Sequence, residues 1–295
     1  MPRSLLGISL SALAVVFGVL TGVLVKKLES EVNIITVLFY RFLFSLPILF
    51  LFAISVRGWH FLQINQRCIM LFRVIFGCCG ITFWFLSVRH MPLGMATALF
   101  QSSVIFITLL SPIFLGERVG LYRWSAVLTG LSGVLIIANP FSGSMSWYFL
   151  YGIGAALAGA VLSLLLRQLG KGDAPASVAI WYNLVGFAGL SAIVLTLPEQ
   201  LYSINQAVIF DLILLGVIGA GLQIVLTTAY RYSDAVVVAS MRYLQMPISG
   251  VVGYFLFAEV MSQTEIIGAL IIISSCLVIA WRELVRSREV SQSDI

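Results

Sequence analysis

Charge is scarce in this chain. Only 12 acidic and 17 basic residues stand among 295, while 60% of the sequence is hydrophobic and the mean hydropathy is +1.06. A soluble domain of this length needs a charged shell, so this composition excludes one and indicates a polytopic membrane protein. Histidine is reduced to His60 and His90, both between apolar runs, and the four cysteines, Cys68, Cys78, Cys79 and Cys276, have no histidine at metal-ligand spacing. They read as small packing residues, not as a metal centre or a disulfide framework. Acidic residues are missing from the middle of every apolar run: Glu117, Asp211, Asp234, Glu259 and Glu265 all fall at run ends. That absence removes paired carboxylates and Ser-His-Asp sets, hence an intramembrane enzyme, and it removes a buried carboxylate relay for protons. Long polar linkers are absent as well, so no extramembrane domain is expected.

What remains is a series of apolar runs of membrane-crossing length. Ten are expected, near 5–25, 34–56, 69–88, 94–115, 123–139, 147–167, 176–197, 208–230, 234–257 and 263–282. The first resembles a secretory signal, with Arg3 ahead of it and small residues at Ser11, Ala12 and Ala14. It continues past Val25 without a polar cleavage region, so it is read as the first crossing. Twelve basic residues (Arg3, Arg57, Arg67, Arg73, Arg118, Arg123, Arg167, Lys171, Arg231, Arg282, Arg286 and Arg288) fall on one side of the resulting topology. Lys26, Lys27 and Arg89 fall on the other. This bias accounts for the net charge of +5 without invoking nucleic acid, and it places both termini in the cytoplasm. The tail beyond Trp281 reads as solvated and frayed.

The chain is also a duplication. At a fixed offset of 142, Tyr40 returns as Tyr182, Arg89 as Arg231, Glu117 as Glu259, and Ser132, Leu135, Ile137 and Ala138 as Ser274, Leu277, Ile279 and Ala280. Residues 1–142 and 143–284 are therefore expected to be two five-helix repeats, followed by a cytoplasmic tail, 285–295. An odd number of crossings per copy inserts the second copy upside down, so two half-sites face each other near the bilayer centre. The expected fold class is an all-α membrane protein of ten transmembrane helices in two inverted five-helix repeats.

Two arginines, Arg41 and Arg242, lie inside the apolar runs, where an ionised group costs at least ~2.5 kcal/mol and needs a partner or a wet cavity. Each is read either as a structural arginine locking two helices or, by preference, as a cavity charge. Polar stripes point the same way: Thr97, Gln101 and Thr108 on the fourth run, Gln223, Thr227 and Tyr230 on the eighth, Arg242, Gln245 and Ser249 on the ninth. The alternative for them is interhelical hydrogen bonding. Tyr40, Trp84, Trp181, Tyr182 and Asn183 complete the candidate substrate-binding set, although Trp84 and Trp181 are equally compatible with packing. Trp59, Trp124, Trp147, Tyr148 and Trp281 read as interfacial anchors. Glycine pairs such as Gly18/Gly22 and Gly130/Gly133 read as close-packing positions, and Pro247 as a kink beside Arg242. The cavity is expected to be positive and to take an anionic or zwitterionic solute without cofactor or metal. A channel is the competing reading, disfavoured because the polar stripes are short, and a structural subunit is another. A homodimer is left open.

On these residues the chain resembles the drug/metabolite transporter superfamily, in particular its EamA-type ten-helix carriers. The likeness rests on the two tandem halves, on Phe39-Tyr40-Arg41-Phe42, on Leu115-Gly116-Glu117 and Phe257-Ala258-Glu259, and on Gly130, Gly133 and Gly268. The resemblance implies a bacterial inner-membrane carrier of small metabolites with a central cavity lined mainly by helices other than the fifth and tenth. Members move amino acids, nucleosides, vitamins, S-adenosylmethionine and toxic compounds in either direction. The halves are not identical: Asn183 stands opposite Arg41 in the repeat, and Phe100 opposite Arg242.

Overall fold

A computed structural model describes residues 3–115, 121–138, 147–196, 206–232, 238 and 241–293. These residues are helical, with short turns and no strand among them. The helices are α1 (Arg3–Lys27), α2 (Ile34–Arg57), α3 (Arg67–His90), α4 (Leu93–Gln101), α5 (Ser103–Leu115) and α6 (Leu121–Ala138) in the first half. The second half holds α7 (Phe149–Gly172), α8 (Pro175–Thr196), α9 (Gln206–Tyr232), α10 (Gln245–Phe257) and α11 (Gln263–Ser293). Seven described spans are long and apolar enough to cross a membrane, α4 and α5 together supplying one of them as Leu93–Leu110; three more apolar helices are shorter. Large apolar side chains face outward, Leu195 being 81% and Phe255 77% exposed, as suits a surface solvated by lipid.

Local sequence sets the ends of these helices. Asn33 caps α2 by accepting the Thr36 N–H at 2.8 Å, and Gly58, at φ +56°, closes its other end in a conformation that side chains disfavour. Asp173, in the turn between α7 and α8, accepts the backbone N–H groups of Asn65 (2.7 Å) and Gln66 (3.2 Å), so one half of the chain caps α3 in the other. Where α6 meets α11 at Gly133 and Gly268 the backbones approach closely: a Cβ on Gly133 would lie 2.8 Å from the Gly268 carbonyl oxygen. Without a hydrophobic drive in lipid, such close backbone approach is what holds two helices together.

The directions follow from contacts at the helix ends. The end of α3 meets the end of α1, where Arg89 reaches the Leu28 carbonyl; the start of α7 also meets the end of α3, where the His90 and Tyr148 rings stack at 4.3 Å. Hence α1 and α3 run the same way and α7, the counterpart of α1, runs oppositely. Lys27 at the end of α1 pairs with Asp211 near the start of α9, so α9, the counterpart of α3, is inverted too. The repeats cross-pair, α1 packing along α9 and α3 along α7, while α6 and α11 pair with each other.

Several expectations need correction. The fourth run is not one helix: Ser102 interrupts it, its N–H bonding Leu99 O at 3.0 Å and its hydroxyl bonding the same carbonyl at 2.6 Å, a local i→i−3 tightening. Thr97 and Gln101 therefore do not share a continuous face with Thr108, whose hydroxyl turns back to Val104 O. The ninth run breaks at the repeat-equivalent place, where the Leu244 N–H bonds Met241 O at 3.2 Å. Pro247 stands in the first turn of α10, after the break and not as its cause. The last helix runs to Ser293, well past Trp281. Glu117 and Asp234 lie outside the described residues, as does the side chain of Pro112.

Candidate functional site

The two repeats line a cavity of about 140 Å³. Its walls come from α1 (Ala14, Gly18, Thr21), α3, α4, α7, α8 and α9, together with Arg242 and Gln245 at the ninth-run break; no described side chain of α6 or α11 contributes. Most of the wall is apolar. Polar groups converge on it from Arg73, Gln223, Tyr230, Arg242, Gln245, Ser163 and Thr21, with no described carboxylate among them. At one side the Trp84 and Phe100 rings lie 5.0 Å apart, and the Arg242 guanidinium sits 4.8 Å from the Phe100 centroid. The break positions Arg242: its carbonyl accepts the side-chain N–H of Gln101, tying the interruption in one repeat to that in the other.

The most consequential residue is one that the sequence reading assigned to a surface flank. Arg73 lies six residues into α3, about 9 Å from its start by helical rise, and is 1% exposed. Its guanidinium stacks 4.1 Å over the Tyr182 ring and donates to Gln223 Oε1 at 3.1 Å, leaving Nε and Nη1 without partners among the described residues. Gly77 makes this possible, because a Cβ there would collide with Arg73 Nη1 and come within 2.8 Å of Tyr182. The signal available in sequence was depth alone: six helical positions beyond Arg67, too far in for a side chain at the membrane surface.

The other candidates separate into groups. Trp84, Tyr182, Gln223, Arg242 and Gln245 line the main cavity; Gln101 lines a smaller adjoining one with Ser163, Tyr230 and Arg242. Arg41, also 1% exposed, sits behind Tyr182 and outside the cavity wall, 4.8 Å from the Phe42 ring and 5.9 Å from that of Tyr182, with Nε and Nη1 unpartnered among the described residues. Asn183 is buried, its side-chain N–H donating to Ala179 O at 3.0 Å. Thr97 and Thr227 spend their hydroxyls on their own helices, on Leu93 O and Gln223 O. Trp181 points away, donating to Leu62 O at 2.8 Å, and Tyr40 stacks on Phe44 at 5.6 Å. Trp181 and Tyr182 could not both face the cavity, since neighbours on a helix diverge by about 100°. Among the described residues no cluster of three His, Cys, Asp or Glu side chains could hold a metal.

Toward the end of the bundle that carries the N-terminus, the lining reaches Arg73, Leu166 and Tyr230. Toward the far end it stops at Thr21 and Trp84. Beyond these, Lys26 pairs with Glu259 at 3.0 Å, Glu259 accepts the Leu93 N–H at 2.7 Å, and Arg89 donates to the carbonyls of Leu28, Glu29 and Val32.

The EamA-like transporter family model fits twice, over residues 5–139 and 146–281. The chain belongs to that family. A riboflavin transporter of Rhizobium johnstonii is 30% identical over 85% of this chain and 80% of its own length. An S-adenosylmethionine uptake transporter of Rickettsia bellii is 26% identical over 94% of both chains. A solved crystal structure that is 15% identical shares the fold at a TM-score of 0.65, covering 92% of this chain and 95% of its own. This EamA-like protein is a bacterial multi-pass membrane transporter.

Proposed function

We propose that this chain is a secondary carrier of a small polar organic metabolite, anionic or zwitterionic, that works by alternating access. The observation supporting it most strongly is the cavity itself. It holds Arg73, Arg242, Gln223 and Gln245 among aromatic walls, and ion pairs stand beyond its far end. A flat heteroaromatic ring fits against Trp84 and Phe100, in keeping with the riboflavin transporter among its relatives. In this reading the chain makes ten crossings, in repeats 1–142 and 143–284 followed by the tail 285–295, and the bias of basic residues puts both termini in the cytoplasm of a bacterial inner membrane. The far end would then face the periplasm. The lack of any described mid-span carboxylate favours exchange or facilitated flow over a carboxylate proton relay.

Reconstituted protein should show saturable uptake of a labelled flavin or purine nucleotide and accelerated efflux when unlabelled solute is outside. Flux that rises linearly without counter-exchange would indicate a pore, and absence of flux across an amino-acid, nucleotide and vitamin panel would remove the carrier reading.

A further inference from the structure

Two guanidinium groups that are each 1% exposed face a single tyrosine ring, and neither forms an ion pair with a described carboxylate. Four of their nitrogen atoms, Nε and Nη1 of Arg41 and of Arg73, have no hydrogen-bond partner among the described residues. Leaving one buried charge unpaired is costly, and two like charges about a shared ring add repulsion. Stacking of Arg73 on Tyr182, the Phe42 ring 4.8 Å from Arg41 and a bond from Arg73 to the neutral Gln223 side chain offset only part of that. Arg242 is in a different condition: it is only half-buried and already rests over Phe100.

We propose that Arg73, with Arg41 behind Tyr182, forms a buried anion subsite that binds the carboxylate or phosphate group of the transported solute. This deepens the carrier reading and rests on it. Arg73 Nε and Nη1 make the direct bonds, since Arg73 lines the cavity. Arg41 supplies a second positive charge from outside the wall, which strengthens the field without touching the solute. Gln223 fixes the fork of Arg73, and Gly77 leaves the space in which it lies flat on Tyr182. The Trp84–Phe100 side of the cavity receives the rest of the molecule, so a solute with an anionic end and an apolar or aromatic body is selected over a uniformly polar one. The second repeat has no matching charge, because Asn183 stands opposite Arg41 and Leu215 opposite Arg73 at the repeat offset. The site is therefore single and off the pseudo-twofold axis.

Inorganic phosphate is the probe, titrated into the purified full chain in neutral detergent against chloride at equal ionic strength while the melting temperature is followed. Wild-type protein should show a saturable rise of a few degrees, as expected for a ligand that binds only the folded state. Arg73→Gln should abolish the rise, Arg41→Gln should weaken the apparent affinity several-fold, and Arg167→Gln, at an exposed arginine outside the cavity lining, should retain it. Without phosphate, Arg73→Gln should melt at or above wild type, because it removes an unpaired buried charge; an arginine serving only to hold Tyr182 would give a lower value. A saturable rise that survives Arg73→Gln, no rise at all, or a rise produced only by phosphatidylglycerol and not by phosphate would overturn the proposal. Counter-exchange of a neutral solute with no phosphate effect would remove this subsite while leaving the carrier standing.

Discussion

The two ends of the bundle are built from duplicated sequence and are in opposite conditions. At the far end Arg89 is 8% exposed and spans three carbonyls of the α1–α2 turn, Lys26 pairs with Glu259, and Lys27 pairs with Asp211 at 2.8 Å. At the other end the repeat partner of Arg89, Arg231, is exposed, and the counterparts of its first two acceptors, Gly170 and Lys171, are exposed too. Lys26 has Gln168 as its partner in the duplication, so the ion pair with Glu259 has no charged equivalent. Inverted repeats supply the same parts to both ends, and the conformation decides which set is engaged. In the proposed cycle Arg231 would take up the role that Arg89 plays here, while the lost cation makes the closure at the terminal end the weaker of the two. A resting preference for the state with the far end shut follows from that difference.

Removing the arginine from the closed end should have the largest effect. Arg89→Ala leaves buried carbonyls without their donor and should destabilise the protein by about 3 kcal/mol, read as a lowered melting temperature. Glu259→Gln keeps an acceptor for the Leu93 N–H but loses the Lys26 pair, whose side chains are mostly buried. It should cost about 2 kcal/mol, or more than tenfold in the opening equilibrium, and hydrogen exchange in the first turn of α4 should quicken accordingly. The smallest effect on stability belongs to Arg231→Ala, within about 0.5 kcal/mol as for an exposed side chain, although solute exchange should slow because the other closed state loses its clasp. Equal loss of melting temperature in Arg231→Ala and Arg89→Ala would erase the contrast between the ends.

The repeat was readable because both copies kept their length: α5 spans Ser103–Leu115 and α10 spans Gln245–Phe257, the same segment displaced by 142. The breaks before these two helices were not readable. Ser102 and Leu244 are compatible with a continuous helix, so residue type carries no mark of the local i→i−3 turns found there or of the Gln101 bond to the Arg242 carbonyl that ties the two breaks together. Tyr182, Gln223, Arg242 and Gln245 were placed together by polarity and spacing, which report a helix face. Arg73 escaped because a basic residue near the start of an apolar run looks like a topological flank, and hydropathy does not register how far in its side chain turns. Arg41 was singled out by depth, but depth gives no direction, and it lies behind Tyr182 instead of beside the solute space.

Whether water reaches the space between the repeats is decided most directly by a cysteine at position 223, in a chain whose Cys68, Cys78, Cys79 and Cys276 have been replaced by alanine. In inside-out vesicles Gln223→Cys should react with a membrane-impermeant thiol reagent and be protected by transported solute, whereas in right-side-out vesicles reaction should be much slower. A thiol that stays inert from both sides in folded protein would mean that the cavity is dry, and the carrier mechanism would fall with it.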